Sequence, residues 1–261
     1  MTNPISMGFP IFEAVKSYLS FSDEVFIVVG RDTESFCAKM RHLSKKIKFL
    51  VTNLWPEYWT YTDMTYHMNL GLREAEGDIV IKADADSIFA DQHQKRINDV
   101  FTTRLMKNDY CYLDRLNYYQ GYGYGQKATR HLFAVNKTSL ATKGIECGVQ
   151  VNNDGSNTLI LGGKEPPYTN EVIIKDLDVI PRNYDDTFCT ERQGTEKWYY
   201  WHTAKNLKNY KNETNLENDN DFAKIKLDWK RYKRNKALGC NLQLEHPDVI
   251  LGKLSETQKI F

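Results

Sequence analysis

Two carboxylates one residue apart, in Asp84-Ala85-Asp86, are the residues of this chain whose types and spacing best suit a chemical task. Carboxylate oxygens are hard donors. A pair of them can hold Mn²⁺ or Mg²⁺, and such an ion can bridge the oxygens of a diphosphate. The spacing alone has little meaning, because it recurs in Asp176-Leu177-Asp178 and Asp219-Asn220-Asp221. What separates the first triplet is its setting. It directly follows DIVIKA (residues 78–83), an apolar, β-branched run that predicts a buried strand. In open α/β sheets, ligands bind beyond the carboxyl ends of strands. The other two triplets lie in polar surroundings and read as solvated surface.

The elements that must position Asp84 and Asp86 follow from periodicity. Ile11, Ala14, Val15, Tyr18 and Leu19 recur at helical spacing after Pro10, which suits a first helical turn. EVFIVVG (24–30) and IKFLVT (47–52) predict strands, with a helix from Thr33 to His42 between them. Asp63–Glu76 carries Met64, Met68, Leu72 and Ala75 on one face; Thr62 or Asp63 is placed to cap its start and Gly77 its end. Helix and strand thus alternate up to the acidic triplet. This predicts an α/β fold with a mostly parallel central sheet flanked by helices. Beyond about residue 110 the pattern changes. Tyr110–Asp114 and His131–Asn136 predict strands around a segment rich in tyrosine and glycine, and 152–157 (NNDGSN) predicts a turn.

The run Asn69-x-Gly71-x-x-x-Ala75-x-Gly77-Asp78, followed by Asp84-x-Asp86, resembles the signature of family 2 glycosyltransferases, which have the GT-A fold. Upstream, FPIFEAVKSYLSFSDEVFIVVG (9–30) is similar to the first helix and second strand of that family. The resemblance covers about the first 90 residues. It implies inverting sugar transfer from a nucleotide diphosphate to an acceptor hydroxyl, assisted by Mn²⁺ or Mg²⁺. Carried onto this chain, it implies that Asp86 coordinates the metal and that Asp84 touches the ribose or the metal shell. Asn69 belongs to the cofactor-binding signature. Asp32 would lie near the nucleobase, and Arg31 would meet the diphosphate or stay an exposed loop residue. One departure stands out: only MTNPISMG precedes the first helix, where the family has an apolar strand leading to the base-binding loop.

Inverting transfer also needs a base near the acceptor hydroxyl. Asp114, Glu146, Asp154, Glu165, Glu171, Asp185, Asp186 and Glu191 are available. Glu146 is favoured, because Gly144 and Gly148 flank it and allow close approach. His202, within WYYWH (198–202), is a third metal ligand by the same resemblance or else a structural histidine. Tyr118, Tyr119, Tyr122 and Tyr124 are placed to wall the acceptor site or to serve as packing. The resulting division is one GT-A-like domain: residues 1–110 for the nucleotide sugar, 111–205 for acceptor and catalysis, and 206–261 as a polar, basic extension.

Composition limits the partners. The 261 residues carry 35 basic and 34 acidic side chains, a net charge of +1, so no global pull toward nucleic acid or anionic membrane exists. One local cluster breaks this balance. KIKLDWKRYKRNK (224–236) opposes seven cations to Asp228 alone, with Trp229 and Tyr232 interleaved. It reads as a solvated amphipathic helix, as a surface for a lipid-linked acceptor, or as an arm for duplex DNA bearing a hydroxymethylated base, as in a virus. A glycan is the acceptor the resemblance implies at large. Five scattered cysteines without a C-x-x-C pair argue against structural zinc and a disulfide framework. No leader or membrane span is evident, so a cytoplasmic enzyme is expected, including a virus-encoded one in host cytoplasm. Two rivals remain. A metal-dependent nucleotidyltransferase would need a glycine-rich basic phosphate loop, which this chain lacks. A non-catalytic carbohydrate- or nucleic-acid-binding module would not need the acidic pair.

Overall fold

A computed structural model describes residues 8–30, 33–54, 60–118, 125–152, 156–166, 173–184, 191–205, 217–237, 247–249 and 251; for 125–131, 191, 200–205, 233 and 235–237 it describes the backbone alone.

The N-terminal third follows the predicted alternation. Helix α1 (Ile11–Leu19) starts after Pro10 and buries Ile11, Ala14 and Val15. Strand β1 (Val25–Val29) runs parallel to β2 (Ile47–Val51), with Val25 opposite Ile47 and Val29 opposite Val51. Between them α2 (Glu34–Arg41) buries Phe36, Cys37 and Met40. These residues and α1 close one apolar core over the strand pair. A helix between adjacent parallel strands is the expected crossover, because parallel partners cannot be joined by a tight turn.

Helix α3 (Tyr61–Glu74) starts two residues before the predicted point. Thr60 is its cap, in a reciprocal box with Asp63: the Asp63 amide donates to the Thr60 hydroxyl (3.2 Å), and the Thr60 amide donates to the Asp63 carboxylate (2.7 Å). Its end is closed from another element rather than by Gly77. The Lys137 ammonium donates to the carbonyls of Leu72 (2.9 Å), Arg73 (3.2 Å) and Ala75 (2.5 Å), placing positive charge at the negative end of the helix.

Beyond α3 the expectation of a mostly parallel central sheet needs correction. Strand β3 (Ile79–Ile81) leads to Asp84, Ala85 and Asp86, and β4 (Ser87–Ile88) follows. A short 3₁₀ turn precedes α4 (Gln94–Lys107). Next come β5 (Tyr110–Tyr118), β6 (Gly125–Asn136), α5 (Lys137–Thr142), β7 (Cys147–Val151), β8 (Asn157–Leu161), β9 (Ile173–Ile174) and β10 (Arg182–Asn183). The central sheet is mixed, in the order β3-β6-β5-β10-β4 with β9 also on β5. Its β3–β6, β5–β6 and β10–β4 pairs are antiparallel; β10–β5 and β5–β9 are parallel. The reason is local. Strands β5 and β6 follow each other closely in the chain, and close neighbours pair antiparallel. Strand β3 joins the outer edge of that hairpin, and no described ladder links it to β1.

Helix α4 turns Ile97, Phe101 and Leu105 onto this sheet, where Ile88, Phe89, Leu113, Leu116 and Leu132 complete the largest core. Strands β7 and β8 form a separate antiparallel hairpin that packs with α3 in a third core. Helices α6 (Glu191–Lys205) and α7 (Asp219–Ala237) pack together: Trp198 lies 4.6 Å from Tyr232, ring centre to ring centre. No described helix is long and apolar enough to cross a membrane.

Candidate functional site

Asp84 and Asp86 lie just beyond the carboxyl end of β3, and α1 holds their loop there. The Tyr18 hydroxyl is shared between the backbone carbonyls of Asp84 (2.5 Å) and Ser87 (2.6 Å). One residue earlier, the Ser17 hydroxyl accepts from the Phe89 amide (3.1 Å) and donates to the Ala14 carbonyl. Opposite, the Tyr184 amide donates to the Asp86 carbonyl at 3.0 Å. The acidic loop is therefore held through its backbone. Burial, and then the charges of Asp84 and Asp86, push the Tyr18 phenol well above its ordinary pKa, so it stays a donor.

The two carboxylates differ. Asp86 is buried, with 8 % of its surface exposed. Asp84 is more open and is met by two cations: Lys82 Nζ lies 2.5 Å from its Oδ1, and an Arg115 terminal nitrogen lies 3.3 Å from its Oδ2. Lys82 precedes Asp84 by two residues, and Arg115 reaches over from β5. Neither was singled out from sequence. The available signal was a charged residue inside an apolar strand, in DIVIKA (78–83) and again in CYLDRL (111–116).

Around this quartet lies a band of buried polar groups. Ser87 and Asn117 both stand opposite Asn183 on adjacent strands, and Arg182 stands opposite Leu116 and Ile88. All four polar residues are nearly or fully buried. Ser87 Oγ, Asn117 Oδ1, Arg115 Nε and Arg182 Nε have no hydrogen-bond partner among the described residues. Buried polar atoms in folded proteins are almost always satisfied by protein, water or ligand. Ser87, Asn117 and Asn183 share one face of these strands, whereas Arg182 takes the opposite face with Ile88 and Leu116 and hydrogen-bonds Tyr118.

The other expected site residues fall elsewhere. Asn69 donates its side-chain amide to the Val149 carbonyl and accepts the Val149 amide, both at 2.8 Å. Thr65, one turn earlier, accepts the Val151 amide at 2.9 Å. Together they cover the open edge of β7. Glu146 is exposed at the start of β7, and its carbonyl accepts the Gly162 amide at 2.8 Å. No contact among the described residues joins its carboxylate to the acidic pair. Its flanking glycines have structural reasons. Gly144 has φ +67° and ends α5, and a Cβ on Gly148 would lie 3.2 Å from Asn69 Oδ1. His202 lies in α6, and its side chain is not among those described. Arg31, Asp32, Tyr119, Tyr122 and Tyr124 lie outside the described residues, as do Asp154, Glu171, Asp185 and Asp186. Tyr118 is core, stacked on Tyr184 at 5.1 Å.

The two discounted acidic triplets are structural. Asp176 and Asp178 are more than solvated: Arg96 lies 2.6 Å and 3.7 Å from them, tying α4 to the loop before β10. Asp219 and Asp221 sit in the first turn of α7, where negative charge is favoured. A groove of about 700 Å³ runs along α4 past His93, Arg96 and Arg104, but it shares no lining residue with the acidic site.

For a divalent cation the donor set is suitable in kind: two carboxylates, one of them buried, at a strand end. Lys82 and Arg115 compete for Asp84, and no cluster of three or more His, Cys, Asp or Glu suited to a metal occurs among the described residues. No protein-family model matches the chain, and no curated protein matches its sequence.

Proposed function

We propose that this chain is a family 2-like, GT-A-type glycosyltransferase that moves a sugar from a nucleotide diphosphate to an acceptor hydroxyl with inversion. One observation carries the reading: Asp84 and Asp86 stand beyond the carboxyl end of β3, beside polar atoms of Ser87 and Asn117 that are buried and unpartnered among the described residues. The parallel β1–α2–β2 unit and the mixed sheet beside it are compatible with a GT-A arrangement.

In this reading Asp84 and Asp86 hold Mn²⁺ or Mg²⁺, which when bound stabilises the charge of the leaving diphosphate. Tyr18 and Ser17 fix the loop, so that the carboxylates need no reorganisation when donor binds. Asn69 acts at a distance, by seating β7. Glu146 is the proposed base that takes the acceptor proton, and His202 the proposed third metal ligand. Arg31 and Asp32 remain the proposed contacts to diphosphate and nucleobase. The test is thermal-shift screening of nucleotide sugars with and without Mn²⁺. Stabilisation by a nucleotide sugar but not by a nucleoside triphosphate is expected. The reverse would favour a nucleotidyltransferase, and no response to either would favour a binding module.

The acceptor proposed is a glycan or, as the sharper alternative, a hydroxymethylated base in duplex DNA. Helix α7 supports the second. Lys224, Leu227, Lys230, Arg231 and Arg234 are exposed at helical spacing, while Ile225 and Trp229 are buried. The same periodicity turns Trp229 and Tyr232 toward α6, so these rings are packing rather than base-stacking platforms. What α7 offers DNA is therefore phosphate neutralisation, which is sequence-independent and salt-sensitive. A cytoplasmic enzyme, in a host cell where virus-encoded, suits this acceptor.

A further inference from the structure

We propose that Lys82 and Arg115 are the cations that receive the donor's diphosphate, and that Asp84 is their internal counter-ion until it arrives. This rests on the reading of the Asp84–Asp86 loop as the donor site. Both cations converge on one carboxylate, at 2.5 Å and 3.3 Å, with side chains only 12 % and 19 % exposed. One carboxylate cannot use them fully. An ammonium has three donors and a guanidinium five, in a planar fork that matches phosphate oxygens. Arg115 Nε is buried with no acceptor among the described residues, so part of that fork is idle. Ser87 Oγ, a donor of the same kind, is idle too. A partly buried ion pair contributes little to stability by itself, so packing gives small reason to bury two cations at a strand end. A phosphate group supplies more acceptor oxygens than Asp84 does, and it would satisfy the idle donors as well. As phosphate draws the cations away, the Asp84 carboxylate becomes free for the cation that travels with a nucleotide diphosphate.

Exchange of partners has a signature that a structural salt bridge lacks. Asp84→Asn keeps the shape but no longer competes for the cations, so it should bind phosphate more tightly without metal. The experiment is calorimetric titration of inorganic pyrophosphate, in EDTA and in Mn²⁺, into wild type, Lys82→Met, Arg115→Met and Asp84→Asn. In EDTA each methionine variant should lose roughly 10- to 100-fold in affinity, the scale of a hydrogen bond to a charged group. Asp84→Asn should gain affinity in EDTA and lose the added affinity that Mn²⁺ confers. Unchanged or weaker binding of pyrophosphate by Asp84→Asn in EDTA overturns the proposal, as does wild-type affinity in both methionine variants. Should the methionine variants fail to fold, the near-isosteric Asp84→Asn decides alone. Turnover of a nucleotide sugar alongside unaltered pyrophosphate affinities would sink this inference and leave the glycosyltransferase reading standing. The expected pyrophosphate pattern with no response to any nucleotide sugar would do the opposite.

Discussion

Asp84 and Asp86 share a loop but not an environment, and their substitutions should differ accordingly. Asp86 is buried, its carbonyl accepts the Tyr184 amide, and an asparagine there keeps both that contact and the side chain's shape. Asp86→Asn should therefore fold with nearly the wild-type melting temperature and lose transfer activity by roughly 10²-fold or more, the scale of one lost electrostatic stabiliser. Substantial turnover in Mn²⁺ by this variant would remove Asp86 from the site. Tyr18→Phe tests the support instead. It deletes the hydroxyl shared by the Asp84 and Ser87 carbonyls and leaves them short of a donor, which costs about 1–3 kcal/mol of stability. Denaturant unfolding should show that loss; an unchanged midpoint would mean that the loop holds itself. Glu146→Gln should keep donor affinity and slow transfer by roughly 10²–10⁴-fold, as for a lost general base; normal turnover would pass the role to another carboxylate.

Two contacts between elements turn on particular residues. The Asn69 side chain imitates a strand by meeting both polar groups of Val149, so Asn69→Ala should detach α3 from β7. Amide exchange should speed up at Val149 before the rest of β7 and β8. Protection equal to wild type would assign that edge to Thr65 alone. Gly194 plays the matching part in the α6–α7 pair. A Cβ there would fall 2.0 Å from the Trp229 ring, an overlap with a large aromatic side chain rather than with a flexible tail. Gly194→Ala should displace Trp229 from α6 and raise its fluorescence quenching by iodide. Since α7 carries the exposed cations, the same variant links packing to the acceptor proposal: duplex DNA affinity should fall, and its steep salt dependence should flatten.

At the scale of the whole molecule, pH separates two kinds of support. Burial opposes ionisation of Glu24 and Asp109. The Lys48 ammonium and Glu76 amide at Glu24, and Lys143 and Ser139 at Asp109, outweigh it and hold both carboxyls below their ordinary range. A depressed folded-state pKa stabilises above the unfolded value and is lost as pH falls through the folded one, so stability should decline below about pH 4. Tyr18 and Tyr184 are raised instead, mainly by burial. Their contribution is complete below the unfolded value and is lost as pH rises beyond about 10. Urea midpoints measured from pH 3 to 11 should form a plateau with these two edges; a decline on the acid side only would deny the buried phenols their part. Burial also pushes the Cys111 thiol up to about 12 and that of Cys147 to about 11, which keeps both protonated and inert at neutral pH.

Local pattern alone determined the N-terminal unit and the position of the acidic triplet after a strand. The periodicities of Ile11–Leu19, Val25–Val29 and Ile47–Val51 each concern one element, and β-branched runs flanked by helices leave few alternatives. The D-x-D triplet at the end of β3 stood out for the same reason: its significance is its position after a strand. Tertiary structure decided what depends on distant partners. The direction of β3 was set by β6, more than forty residues away, which no local pattern in Asp78–Ala83 records. Lys82 and Arg115 look like stray charges in apolar strands until the sheet brings both to Asp84. Asn69, read as part of a nucleotide-binding signature, and Gly148, read as room for close approach beside Glu146, meet at one junction that only folding makes: a Cβ on Gly148 would lie 3.2 Å from Asn69 Oδ1. Sequence spacing reports which face a residue takes; only the assembled sheet reports which charge it meets there.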